Sequence, residues 1–420
     1  MVAIHNGRAN REQSQQAQYS ALINQVNERL EVLYGQLNNS TLPDFGSAML
    51  CCSTDSIAAC TVAHRFLGKF QKPETSTEKL LHENCIADWL ATEDRFSTFS
   101  WSRVPLSSKS ILYRARVLLD QWTKNFRPTS EVAFTPGETL VSNKGRVSVY
   151  QKLRRKENWT VTHEAFEDFA RLVYNTRWLK KVAKTFFHKL SQQQYRRLYG
   201  AFKDAKHVGY AIFRFRFETE VVTLVHGGRF ASVYKNNEKR RPIIVGPLGN
   251  MLLQRGVSLP LREILSQIGN DLETGQQLHR DRISDPSVAT IDFSNASDSN
   301  LLEVVTAQFP NRIHRLLSRY RDPMVLVDDV YYVPHKLSSM GCGFTFEVMT
   351  LLLLSIARVL DPQATVYGDD VIINNNVAEQ FMAVMRDIMW KVNEKKSFVN
   401  SHFRESCGAF YLDAYGYITC

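Results

Sequence analysis

Val366-Tyr367-Gly368-Asp369-Asp370-Val371-Ile372-Ile373 is the stretch on which the reading of this chain turns. β-Branched and aromatic residues flank a glycine and two carboxylates, the pattern of a strand, a tight turn and a second strand. Adjacent carboxylates at a hairpin tip repel each other, and a divalent cation held by aspartate oxygens relieves the repulsion. A solvated turn that happens to carry Asp-Asp is the alternative, so the surrounding segments have to decide.

Two of them do. Upstream, Ala289-Thr290-Ile291-Asp292-Phe293-Ser294-Asn295-Ala296-Ser297-Asp298 reads as a β-branched strand ending in Asp292, with a second aspartate in a small-residue turn. Between them, Leu337-Ser338-Ser339-Met340-Gly341-Cys342-Gly343-Phe344-Thr345-Phe346-Glu347 is a Ser/Gly loop running into an apolar helix over 345–360. If strand and hairpin are neighbours in one sheet, Asp292 meets Asp369 and Asp370, and the three could hold two divalent ions. Such a pair can activate a 3′-hydroxyl and stabilise a leaving pyrophosphate, which is the chemistry of nucleotidyl transfer. Ahead of these segments, Lys235-Asn236-Asn237-Glu238-Lys239-Arg240-Arg241-Pro242 leads into Ile243-Ile244-Val245. A cationic loop of this kind suits a triphosphate; a solvated hairpin turn is the plain alternative.

The whole chain fits a polyanionic partner. It has 420 residues, a net charge of +10, 44% hydrophobic residues and 22% charged ones. The core is therefore ample and the balance basic. Seven cysteines at irregular spacing, Cys51, Cys52, Cys60, Cys85, Cys342, Cys407 and Cys420, argue for a reducing compartment over a disulfide framework. Cys51, Cys52, Cys60 and His64 lack a CxxC pair and read as buried thiols rather than a zinc site. No signal peptide is expected from the polar N-terminus, and the apolar run Val348–Ala357 is shorter than the ~20 residues a membrane span needs. A soluble intracellular protein follows.

Apolar spacing predicts helices over 19–37, 78–91, 107–126, 162–206 and 251–268. Residues 127–160 are turn-rich, with Val147-Ser148-Val149 a candidate short strand, and Phe213-Arg214-Phe215-Arg216-Phe217 alternates as a strand does. The second half of the 162–206 segment interleaves cations and rings, including Arg177, Trp178, Lys184, Tyr195, Arg196, Arg197 and Tyr199. That mixture suits a phosphate backbone with stacked bases, or else an ordinary helix with a solvated basic face.

Taken together, these segments resemble the catalytic motifs of viral RNA-dependent RNA polymerases. More closely, they resemble the replicase β subunit of positive-strand RNA bacteriophages, the levivirus group. The resemblance is carried by Ile291-Asp292-Phe293-Ser294 with Ala296-Ser297-Asp298-Ser299, by Ser338-Ser339-Met340-Gly341 with Gly343-Phe344-Thr345-Phe346-Glu347, by Val366–Asp370, and by Phe403-Arg404-Glu405-Ser406-Cys407-Gly408. It extends from about Tyr234 to Gly408.

The resemblance implies an α+β right-hand polymerase. The N-terminal and largely helical fingers region would span 1–276, the palm with its antiparallel sheet 277–405, and the start of a truncated or reduced thumb 406–420. Asp292, Asp369 and Asp370 would bind two Mg²⁺ ions, with Mn²⁺ a usual substitute. Lys235, Lys239 and Arg241 would lie over the incoming triphosphate. Asp298 would sit near the ribose, and Ser339, Gly341 and Thr345 would position template and nucleotide. Lys395 or Lys396, after a helix expected to end near Val392, would give a proton to pyrophosphate. A single-stranded RNA template and NTPs are the implied substrates. Host translation elongation factors Tu and Ts and a small-subunit ribosomal protein are the implied partners, with no membrane, in the cytoplasm of a bacterial host cell. The chain departs from the family in having Cys342 where the family usually has Asn. It also stops at Cys420, where the family continues into a thumb. A reverse transcriptase usually has Ala or Met in place of Gly368. A non-catalytic RNA-binding protein would leave the three aspartates without a role.

Overall fold

The computed structural model describes residues 76–135, 137–140, 148–153, 157–235, 239–413 and 415–418, with isolated helical positions at 21, 24, 25 and 28. The helix expected over 19–37, apart from those four positions, and the cluster of Cys51, Cys52, Cys60 and His64 lie outside the described residues.

Among the described residues, the chain from 76 to 225 is mostly helical. Its elements are α1 (Ser76–Ser97), α2 (Leu106–Trp122), α3 (Val149–Leu153), β1 (Trp159–Thr162), α4 (Phe166–Asn175), α5 (Arg177–Lys184), α6 (Gln192–Phe202), α7 (Val208–Glu220) and β2 (Val222–Val225). Next come β3 (Gly227–Tyr234), β4 (Arg240–Val245), α8 (Leu248–Gln267), α9 (Gly275–Arg282), β5 (Val288–Ile291), β6 (Phe293–Ser294), α10 (Leu302–Gln308), α11 (Asn311–Tyr320), β7 (Met324–Val327) and β8 (Val330–Tyr332). The chain continues through α12 (Thr345–Leu360), β9 (Thr365–Tyr367), β10 (Asp370–Asn374), α13 (Asn375–Asp387), β11 (Lys391–Val392), β12 (Phe403–Ser406), β13 (Ala409–Leu412) and β14 (Gly416–Ile418). The architecture is α+β.

Three expectations are corrected. Phe213–Phe217 lies in α7 and not in a strand. The alternation also satisfies helical spacing: Phe213 and Phe217 stack at 5.4 Å on the buried side, and Arg214–Glu218 and Arg216–Glu220 form i,i+4 ion pairs at 3.1 and 2.6 Å. Val149 opens a helix, because the Ser148 backbone N–H donates to Gln151 while Ser148 Oγ accepts the Gln151 N–H in return, a capping box. The helix expected to reach Val392 stops at Asp387, with Met389 in the left-handed region at φ 71°. Lys391–Val392 instead pairs antiparallel with Ser294–Phe293. The 162–206 segment is helical but broken into α4, α5 and α6.

The central sheet has the order β5-β10-β9, antiparallel throughout. Its residues alternate between two cores. Ala289, Ile291, Val371 and Ile373 point into the main core with α12 and α13, whereas Val288 and Ile372 point to a smaller cluster with Ile283, Ala409 and Tyr411. The sheet is therefore covered on both faces. Helix α12 explains why one side is so apolar: twelve of its 16 residues are buried, eight of them apolar, so it packs as a core helix rather than a surface one. Among the described residues, no helix is long and apolar enough to cross a membrane. A second sheet, β4-β3-β7-β8, carries the β3–β4 hairpin, and a third, β12-β13-β14, lies over the smaller cluster. The domain boundary expected between residues 405 and 406 falls inside β12.

Candidate active site

Register places the carboxylates. Val371 pairs with Ile291 across β10 and β5, so one step further sets Asp370 beside Asp292. By the two-residue alternation both project from the face that β12–β14 covers, because Ile372 and Thr290 share that face. Thr290 Oγ1 accepts the Glu405 N–H at 3.4 Å there. Asp369 sits in the turn, next to Gly368 at φ 64°. A Cβ on Gly368 would come within 2.5 Å of Phe346 Cε2 in α12. The Gly368 N–H donates to Thr350 Oγ1 of the same helix at 3.1 Å, which fixes the turn on the core.

All three carboxylates are raised above the ordinary range. Burial pushes Asp370 up to about 7, with Asp369 and Asp292 adding repulsion and the Cys407 backbone N–H opposing it. Asp369 is pushed up to about 6 by burial and by Asp292, against the pull of Lys235 and Arg241. Asp292 is raised by burial, with Lys396, an Asn393 hydrogen bond and Lys235 holding it down. Three like charges thus share one recess, ringed by Lys235, Arg241 and Lys396. Each carboxylate keeps partial solvent contact.

Those carboxylates do not close around a single point as they stand. Among the described residues, no group of three His, Cys, Asp or Glu side chains is gathered tightly enough to hold a metal ion. Asn393 Nδ2 donates to Asp292 Oδ2 at 2.6 Å and occupies one oxygen. In donor chemistry the set nonetheless fits a hard divalent cation: carboxylate oxygens whose mutual repulsion a cation would relieve.

Around the trio, the chain after β11 is tied to Asp292 by its backbone. Its carbonyl accepts the Asn393 N–H at 2.9 Å, and its N–H donates to Ser397 Oγ at 3.1 Å. This connection brings Lys396 to the recess, where its ammonium pairs with Glu405 Oε1 at 3.3 Å. Glu405 and Asp292 raise Lys396 and keep it protonated. Lys395 is exposed on the same turn. From the opposite side, Lys235 begins the β3–β4 turn, its N–H donating to the Lys239 carbonyl at 3.0 Å. Burial, Arg241 and Lys396 lower its ammonium, and Asp292 opposes them. Lys239 is exposed at the same turn.

The remaining predicted residues form a second cluster. Asp298 Oδ1 is buried and accepts from Lys336 Nζ at 2.6 Å and Ser339 Oγ at 2.8 Å. Lys336, itself fully buried, also pairs with Glu93 Oε1 at 3.0 Å and lies 4.4 Å over the Trp89 ring. The Ser339 carbonyl accepts from Thr345 Oγ1 at 3.0 Å, which joins the loop to the start of α12. Gly341, at φ 106°, lies against β4, and a Cβ there would reach the Ile244 carbonyl at 2.4 Å. Next to it the Ile244 N–H donates to the Met340 carbonyl at 2.8 Å. Gln254 of α8 accepts the Gly343 N–H at 2.9 Å and donates to the Tyr320 carbonyl at 2.8 Å, anchoring the loop to α11. Burial pushes the Cys342 thiol up to about 12, so it stays neutral beneath this loop.

Several functional neighbours escaped the sequence reading. Asn393 belongs to the run that also holds Lys395 and Lys396, and Glu405 and Cys407 belong to the Phe403–Gly408 phrase, so the chain gave a hint of these. Glu93, Lys336 and Asn270 gave none. Asn270 hydrogen-bonds both the N–H and the carbonyl of Val366, at 3.0 and 2.7 Å, and completes the outer edge of β9.

A model of the family described as RNA replicase, beta-chain, matches residues 90–415. The RNA-directed RNA polymerase beta chain of Enterobacteria phage GA is 34% identical over 207 residues, covering 47% of this chain and 39% of that protein. The RNA-directed RNA polymerase subunit beta of Enterobacteria phage SP is 39% identical over 192 residues, covering 43% of this chain and 33% of that protein. The chain thus matches well under half the length of these relatives. Among solved structures, the RNA-dependent RNA polymerase of a human picorbirnavirus has a TM-score of 0.36 and 15% identity, over 45% of this chain and 44% of that one.

Proposed function

Because this chain belongs to the RNA replicase beta-chain family, we propose that it carries the catalytic centre of an RNA-directed RNA polymerase that copies a single-stranded RNA genome from NTPs. The observation that carries the reading is the juxtaposition of Asp292, Asp369 and Asp370 in one recess ringed by Lys235, Arg241 and Lys396. In right-hand terms, the palm would start near residue 277 with the fingers before it, and its boundary with the thumb would lie outside β12 and not between 405 and 406.

Asp292, Asp369 and Asp370 would hold two Mg²⁺ ions, or Mn²⁺ in their place. When bound, the ions lower the barrier to attack by the 3′-hydroxyl and neutralise the leaving pyrophosphate. The chain's own residues do the rest. Lys235 and Arg241 meet the triphosphate, with Lys239 at the mouth of the turn. Lys396 Nζ, kept protonated on Glu405, gives a proton to the leaving pyrophosphate; exposed Lys395 is the weaker candidate. Asp298 fixes the Ser339 hydroxyl beside the nucleotide, where the ribose 2′-hydroxyl is read. Gly341 and Thr345 hold the loop that positions template and nucleotide. The left-handed turn at Gly368, closed off by Phe346, favours glycine over the Ala or Met usual in reverse transcriptases. Elongation factors Tu and Ts, a small-subunit ribosomal protein and the cytoplasm of a bacterial host complete the reading, on the strength of the family resemblance.

The test offers labelled ribonucleotides or deoxynucleotides to the protein on a single-stranded RNA template in Mg²⁺, with and without the elongation factors. RNA made from ribonucleotides alone supports the reading. DNA product would make the protein a reverse transcriptase, and RNA binding without either product would make it a non-catalytic binder.

A further inference from the structure

Helix α6 is built without a core. None of its 11 residues is buried. It is set by its own cap: Ser191 Oγ accepts the Gln194 N–H at 3.2 Å, and Gln194 Oε1 accepts the Ser191 N–H at 2.8 Å. Phe202 leans toward α7 and meets Phe215 at 5.7 Å. Its other stripe is left to solvent: Tyr195 and Tyr199 are 54% and 50% exposed. A large aromatic pair at i,i+4 on an open helix face calls for a partner.

Charge says which kind. Residues 177–206 hold nine Lys and Arg against one acidic residue, Asp204. On α4 and α7 the arginines are consumed by glutamates: Arg171 and Arg214 pair with Glu167, and Arg216 with Glu220. On and beside α6 the cations are left open. Arg196, Arg197, Lys203 and Lys206 are exposed and, among the described residues, have no carboxylate within ion-pair distance. The structure thus divides the basic aromatic segment. Leu179, Ala183 and Phe186 are core, while Tyr195, Arg196, Arg197 and Tyr199 remain outward.

We propose that α6 is a landing platform for single-stranded RNA, separate from the catalytic recess; what the RNA is for rests on the polymerase reading. Four residues of helix set the two rings about 6 Å apart along the axis, so each can stack a base of one extended strand while the adjacent arginines hold its phosphates. A duplex keeps its bases stacked internally and offers the rings nothing comparable, which selects a single strand.

The experiment measures binding of a short unstructured RNA to the full chain carrying Asp369→Asn, by fluorescence anisotropy over a salt series. The double variant Tyr195→Ala/Tyr199→Ala should weaken binding about tenfold or more with little change in salt slope. The pair Tyr195→Phe/Tyr199→Phe should bind as the parent does, because the ring and not the hydroxyl is used. The pair Arg196→Gln/Arg197→Gln should reduce the salt slope by about 1.4, at about 0.7 per phosphate contact. Wild-type affinity and slope in the Ala and Gln variants would overturn the platform. So would variants that keep RNA but lose an acidic protein partner, which would make α6 a protein interface. The same substitutions with Asp369 intact separate the two readings. Weakened RNA binding in a protein that makes no RNA keeps the platform and removes the polymerase reading. Full RNA binding in variants whose parent makes RNA removes the platform alone.

Discussion

At the scale of single residues, the raised carboxylates give a signed pH dependence. Asp369 and Asp370 titrate near 6 and 7 in the folded chain, against about 3.9 when unfolded. Between these values the folded state keeps protons that the unfolded state has released, so their contribution to stability falls as pH rises from about 4 to about 7. His279 acts in the opposite sense. Burial lowers it to about 3, so it destabilises the fold as pH drops below about 6.5. The difference between Asp370→Asn and wild type isolates the carboxylate. In metal-free buffer the variant should melt several degrees higher at about pH 7.5, with the gap closing toward about pH 4. Mg²⁺ should raise the wild-type melting temperature more than the variant's. A gap that is constant across pH would contradict the crowding of the three carboxylates. At Gly368, an alanine has to enter the left-handed region at about 1–2 kcal/mol and displace Phe346. Gly368→Ala should lower both the melting temperature and RNA synthesis, measured on the same preparation.

The elements show what a sequence can disclose. The Val366–Ile373 hairpin, the strand ending before Asp292 and helix α12 were all legible, because each is defined by neighbours within a few residues: β-branched runs, a turn glycine, an apolar stretch. The Phe213–Phe217 alternation was misread because a five-residue window satisfies both periods, and only the i+4 glutamates separate them. Asn393 and Asp292 are 101 residues apart, and Asn270 and Val366 are 96 apart. Pairings of that kind have no local signature. Lys336 was invisible for the same reason, since its partner Glu93, which also bonds the His335 N–H at 2.7 Å, lies 242 residues before His335. This triad holds the Ser339 loop in place, so Lys336→Met leaves two buried carboxylates uncompensated and should cost about 3–5 kcal/mol. Urea unfolding measures this loss. Asn270→Ala leaves the edge N–H and carbonyl of β9 without their partner and should cost about 2 kcal/mol. Wild-type stability in either variant would mean that these buried partners do not hold the site's framework.

Across the whole molecule, the recess exists because sheets and helices from distant parts of the chain converge on one edge. The β12–β14 sheet closes the face from which Asp292 and Asp370 project, and Arg404 fastens that sheet. Its fully buried guanidinium donates to the Ile283 carbonyl at 2.6 Å and the Ser401 carbonyl at 2.7 Å, and pairs with Asp413. Arg404→Lys loses the planar fork and should cost about 3 kcal/mol, with the 403–418 segment becoming the first site of limited proteolysis. The central claim is that the recess at Asp369 performs template-directed RNA synthesis. Its most direct test is incorporation of labelled ribonucleotides on a single-stranded RNA template in Mg²⁺, comparing wild type with Asp369→Asn and recording RNA binding by both. RNA product is expected from wild type alone, with binding retained in the variant. Equal product from the two proteins would contradict it.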